Sequence, residues 1–211
     1  WWAQSGLDLV EESYGLSFKQ EEATVTEIDV QFVEEDNDTL AYVNHSYYIS
    51  GPQVGETVQM TLNINMSNFG DLDLSDVSGF AGQTSGYLDR TLAHEFTHAV
   101  MAANITGFDQ LPLYLKEGSA ELVHGIDDFR PSAITTLALA SNIDYFSQVL
   151  QPNITAGVDT YAGGYMLLRY FAKQAADNYA STLDSNSSGM LDTNSVSSAI
   201  LSFSNSTISS F

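Results

Sequence analysis

The chain has 211 residues, no cysteine, 44% hydrophobic residues, and six Lys+Arg against 27 Asp+Glu, for a formal charge of −21. That length allows one good core or two small lobes sharing a cleft. The charge argues against nucleic acid and anionic membrane as partners, and the lack of cysteine excludes disulfides, thiolate metal ligands and cysteine nucleophiles. No apolar run approaches the eighteen or more residues of a membrane-spanning helix. The start at Trp1-Trp2-Ala-Gln has no Met, basic n-region or signal-like apolar run, and is read as a cut in a longer polypeptide.

In chain order, residues 1–14 read as an amphipathic helix with Trp2, Leu7, Leu9 and Val10 on its apolar side; Trp1 and Trp2 are expected as packing anchors. Thr24 to Val33 alternates, placing Ile28, Val30 and Phe32 on one face of a half-buried strand. After the turn Glu34–Asp38, strands are expected at Leu40–Val43 and at Tyr47–Ile49. The run Thr57–Asn65 alternates again through Val58, Met60, Leu62 and Ile64. Gly70–Asp76 offers carboxylates at alternate positions but lacks the glycine and closing glutamate of an EF-hand loop. A solvated turn is the favoured reading and Ca2+ the alternative. Gly79–Gly86, rich in Gly, Ser, Gln and Thr, reads as a flexible approach and a conceivable lid.

Leu88–Asn104 then reads as a helix with Leu92, Phe96, Ala99, Val100 and Ala103 on its apolar face. His94 and His98, half of the chain's four histidines, lie four apart and leave one side of it. Two imidazoles so placed can share one Zn2+, and Glu95 stands beside them, free to act as general base on a metal-bound water. The pattern points to metal-assisted hydrolysis. Paired surface histidines are the plain alternative.

A second helix is expected from Pro112 to Gly125, with Glu117 and Glu121 four apart on one face. A catalytic zinc takes three protein ligands and keeps one position open. Glu117 is the expected third ligand, and Glu121 the carboxylate that receives a ligand histidine's free N–H. A solvated acidic face is the weaker alternative. His124 and the pair Asp127-Asp128 lie close by in sequence; His124 reads as a supporting or surface histidine with oxyanion stabiliser as its other reading. Pro131–Ser141 and Asp144–Leu150 are read as short helices packing under the site, and residues 159–179 as a longer one with Met166, Leu167, Tyr170 and Phe171 in the core. From Ser181 the composition is linker-like, followed by a last amphipathic helix at Met190–Phe203.

The His94-Glu95-x-x-His98 and Glu117-Gly-Ser-Ala-Glu121 segments together resemble those of gluzincin zinc metallopeptidases, related to collagenase-type peptidases. Tyr87–Asp127 with Tyr161–Gln174 most resembles flagellinolysin, a metallopeptidase domain inserted in bacterial flagellins. The resemblance implies an α+β, zincin-like fold: a sheet-containing lobe over residues 1–105 with the zinc helix, a mostly helical lobe over 106–211, and an active-site cleft between them. It implies a Zn2+-dependent endopeptidase acting on protein or peptide substrate, outside the cell or on its surface, in a larger surface or filament polypeptide. It further implies that the strand at 57–65 pairs with extended substrate, and that Tyr161, in a Tyr-x-x-Gly pattern with Gly164, supplies a phenol to the oxyanion. Tyr165 is the reserve candidate, and packing alone the competing reading for both tyrosines. A catalytically inactive surface-binding domain is the alternative function; the intact Glu95 argues against it.

Overall fold

The computed structural model describes residues 2–69, 72–73, 75–76, 79, 87–124, 130–139, 143–151 and 157–183. Over these the chain is an α+β protein with one three-stranded sheet and six α-helices. They are α1 (Trp2–Tyr14), β1 (Asp29–Val33), β2 (Ala41–Tyr47), β3 (Thr57–Asn65), α2 (Leu88–Asn104), α3 (Leu113–His124), α4 (Pro131–Ala138), α5 (Ile143–Val149) and α6 (Val158–Leu183). Contacts divide it into two units: residues 1–11 with 16–112, and 12–15 with 113–211. The helix expected at Met190–Phe203, Gly125 and the Asp127-Asp128 pair lie outside the described residues.

In the first unit the strand order is β1-β3-β2, with β1 parallel and β2 antiparallel to β3. This order corrects two expectations. The strand at 57–65 is central: β2 pairs along its length and β1 along Thr61–Asn65, so only residues 57–60, on the β1 side, lack a strand partner that a substrate could replace. The strand expected at Tyr47–Ile49 is the end of β2; Tyr48 leaves the ladder, its N–H bonding Glu56 O at 3.0 Å, and Gly51 and Gly55 turn the chain at φ +91° and +86°.

The face through Met60, Leu62 and Ile64 is buried, and α2 packs on β2 and β3. Val30 and Phe32 pair with Leu62 and Ile64 in register yet stay 48% and 70% exposed. Their alternation predicted a buried face, but β1 is an edge strand one position beyond the strands on which α2 packs. On α1, Val10 and Tyr14 are buried while Leu9 is exposed. Gly6 lets α1 come close to α2: a Cβ there would stand 3.0 Å from Phe96 Cδ2 and 3.3 Å from Ala93 N.

Asn65, fully buried at the end of β3, organises the turn after β1. Its Nδ2 donates to the carbonyls of Glu35, Asn37 and Thr39, and its Oδ1 accepts from Glu35 N at 3.0 Å and Ser67 N at 3.2 Å. One amide side chain thus replaces a ladder that the turn residues cannot make.

In the second unit α3 and α6 meet backbone to backbone. A Cβ on Gly118 would lie 2.7 Å from Gly164 Cα, and one on Gly164 would overlap Tyr114 O. Ala133, Leu137, Val149, Ala162 and Tyr165 form the core beside this contact, with Leu122, Phe146, Tyr161 and Met166 packed against it. Tyr170 and Phe171, expected inside, are 56% and 37% exposed. The buried side of α6 is the small-residue one through Ala162, Gly163 and Gly164. Close approach there, rather than bulk, decides which way α6 faces.

Candidate metal centre

The chemistry rests first on α2. Its predicted apolar face is buried as read: Leu92, Phe96, Ala99, Val100 and Ala103 are all 4% exposed or less. Its C-terminal carbonyls, which no helical N–H can reach, are taken by other segments. Thr57 Oγ1 donates to Ala102 O at 2.7 Å, and Thr24 donates from N and Oγ1 to Ala103 O at 2.8 and 3.1 Å. Asn104 Nδ2 donates to Ser17 O and Val100 O. The helix is therefore held against sliding or rotating.

On this fixed rod His94 and His98 are half-buried, and their Nε2 atoms lie 3.1 Å apart with the rings at 80°. Two nitrogens at about 2.0–2.1 Å from one tetrahedral ion stand about 3.3 Å apart, so the spacing fits a shared metal. The same distance serves an N–H···N bond when one ring carries its proton on Nε2; ligation through that nitrogen takes the other tautomer, with the proton on Nδ1. Glu95 is buried at 8% exposure. Phe108 lies tilted near His98, with centroids 6.3 Å apart, and edge-on to His45 of β2 at 5.8 Å; His45 also lies 3.7 Å from Asp109. His45 escaped the sequence reading because nothing local in Asn44-His45-Ser46 suggests a metal or catalytic pattern.

On α3, Glu117 is half-buried and the Gly118–Glu121 turn is fully inside. Ser119 Oγ donates back to Leu115 O, while Ser119 O accepts from the buried Tyr14 hydroxyl at 2.8 Å. Burial pushes that phenol well above its usual range, against a smaller opposing effect of the Ser119 bond. Glu121 is 2% exposed. A buried carboxylate needs positive partners. Arg130 Nη2 donates to Glu121 Oε1 at 3.4 Å, and His124 Nε2 lies 3.6 Å from Glu121 Oε2.

The Arg130 guanidinium also lies over the Tyr161 ring, 4.5 Å from its centroid. Tyr161 is half-buried, whereas Tyr165 is 6% exposed in the core and its hydroxyl accepts from Arg169 Nη1 at 2.6 Å. Arg130 was not singled out from the sequence. The available signal was scarcity: it is one of six cationic residues in a chain with 27 carboxylates.

Two groups of side chains among the described residues could hold a metal ion: His94, His98 and Glu117, and His94, Glu121 and His124. The two-histidine, one-carboxylate set matches the ligand types a catalytic zinc takes. His124 as a potential ligand goes beyond the sequence reading, which gave it a supporting role. For Ca2+, Asp73 Oδ1 accepts from Ser75 N at 2.8 Å and Ser75 Oγ at 2.7 Å, bonds that hold the Asp73 carboxyl below its usual range. Gly70 and Asp71 lie outside the described residues, as does the Gly79–Gly86 segment apart from Gly79. No family model, no curated protein and no solved structure matches the chain.

Proposed function

We propose that the chain is a zinc-dependent endopeptidase of gluzincin type, with His94, His98 and Glu117 as metal ligands and Glu95 as general base. The observation that carries this reading is the pair of half-buried imidazoles four apart on one helix, with the intact Glu95 beside them. The donor set speaks for zinc, and the 3.1 Å between the two Nε2 atoms suits one shared ion. When bound, zinc supplies Lewis acidity towards the scissile carbonyl and lowers the pKa of water.

The chain's own residues do the rest. Glu95 takes a proton from the attacking water and returns it to the leaving amine, so its carboxylate ends each cycle unprotonated. Its burial keeps bulk water from competing for that proton. Glu121 receives a ligand histidine's N–H and fixes its tautomer, while Arg130 and His124 compensate its charge. The Tyr161 hydroxyl donates to the oxyanion of the tetrahedral intermediate. Tyr165 suits that role less well, being buried in the core with its hydroxyl bonded to Arg169.

Extended substrate adds along β2, which has β3 on one side only. This replaces the strand at 57–65 in that role. The resemblance to flagellinolysin carries the further proposal that the enzyme acts outside the cell, as part of a larger surface or filament polypeptide.

The test is zinc content and casein or flagellin cleavage for the wild-type chain and Glu95→Gln, each with and without chelator. Chelator should abolish cleavage and added zinc restore it. Glu95→Gln should keep its zinc and lose about a thousandfold in kcat. Cleavage that survives chelation, or wild-type turnover in Glu95→Gln, refutes the assignment.

A further inference from the structure

We propose that Arg130 is a positioning residue for the Tyr161 phenol, a role that rests on the peptidase reading in which that phenol meets the oxyanion. The guanidinium lies 4.5 Å over the Tyr161 ring and bonds Glu121 through Nη2 at 3.4 Å. One planar cation therefore joins the carboxylate expected to steer a ligand histidine to the ring expected to stabilise the transition state.

The sequence alone hides the link, because Arg130 precedes α4, Glu121 belongs to α3 and Tyr161 to the first turn of α6. Tyr161 is packed against the core formed by Ala133, Leu137, Val149, Ala162 and Tyr165. The guanidinium covers ring surface as well, which limits the directions in which the hydroxyl can point. A cation on the ring face also draws electron density from it, making the phenol a stronger hydrogen-bond donor where negative charge develops. Glu121 is what keeps the guanidinium there. It is buried, and an arginine whose plane suits both a carboxylate and an aromatic face satisfies both partners at once.

Lysine cannot do this. It keeps a positive charge beside Glu121 but has no flat surface to lay on the ring. Arg130→Lys is therefore the informative variant, with Arg130→Gln beside it to remove the charge. Both should retain zinc and leave KM within about twofold, while kcat falls about tenfold, the factor expected for one cation–π contact. In a Tyr161→Phe background the same substitutions should change kcat by less than about twofold, since the group through which Arg130 acts is gone.

A second measurement does not need activity. In the metal-free chain the side-chain NMR signals of Arg130 should lie upfield, shifted by the ring current of Tyr161, and return to ordinary positions in Tyr161→Leu. Equal losses of kcat in the wild-type and Tyr161→Phe backgrounds overturn the proposal, as does the absence of the ring-current shift. Loss of zinc in Arg130→Lys also overturns it, since Arg130 would then serve the metal site through Glu121 alone. A wild-type chain that cleaves nothing refutes the peptidase reading instead, and is told apart by the chelator experiment above.

Discussion

In the first unit the helix with the two histidines is tied down by hydroxyls and amides from distant segments. In the second, the helix with Glu117 is fixed by the absence of side chains. Thr24 and Thr57 donate to the last carbonyls of α2 and Asn104, at its end, donates to Ser17 O, so its position depends on hydrogen bonds whose partners are 45 to 87 residues apart in the chain. On α3, Gly118 and Gly164 let two backbones touch, and position depends on steric exclusion. The first kind of anchor weakens by degrees when altered; the second fails at once. Two elements that each carry a candidate ligand can thus reach similar rigidity by routes with different sensitivity to substitution.

The largest stability effect should come from that glycine contact. Gly164→Ala places a methyl group into the Tyr114 carbonyl and should cost about 3 kcal/mol in denaturant unfolding. It should also lower zinc content, because Glu117 moves with α3. Full stability in this variant would show that the helices can slide apart freely. Asn65→Ala comes next. It strips the turn at residues 35–39 of its amide partner and leaves buried donors and acceptors unmet, for about 2–3 kcal/mol. Zinc binding should survive it, since α2 keeps its own ties.

Thr57→Val removes one hydroxyl from the end of α2 at nearly constant volume and should cost about 1 kcal/mol. A larger loss than in Asn65→Ala would mean that the end of α2, not the turn after β1, is the more tightly held of the two. The smallest effect is one of pH. Burial holds the Tyr14 proton more tightly in the folded chain than in the unfolded one. Its contribution is therefore intact below the ordinary phenol pKa of about 10 and is lost as pH rises past it, because the unfolded chain ionises first. Tyr14→Phe should flatten that alkaline decline in thermal melts.

What could be read from the sequence was whatever a short window contains. The spacing of His94 and His98, the apolar stripe of α2 and the alternation of β3 are local patterns, and the corresponding elements lie close to where they were expected. What could not be read was pairing over distance. The alternation of β1 says that one face is apolar, but not that β1 is an edge strand beyond those α2 packs on, which leaves Phe32 exposed. Likewise Tyr170 and Phe171 look like core until Gly163 and Gly164 turn α6 the other way. Arg130 and Asn65 act only through partners on other elements, so no periodicity marks them. The spacing of His94 and His98 was legible, but the 3.1 Å between their Nε2 atoms needed coordinates.

The meeting of Gly118 with the backbone of Gly164 bears on how freely this chain can vary over generations. Almost any surface helix drifts through many residues at a given position, but neither of these two admits even one extra carbon. Because Gly118 directly follows Glu117, the inherited constraint and the candidate ligand sit side by side. A lineage that discards the chemistry while keeping the fold should therefore lose the glutamate long before either glycine.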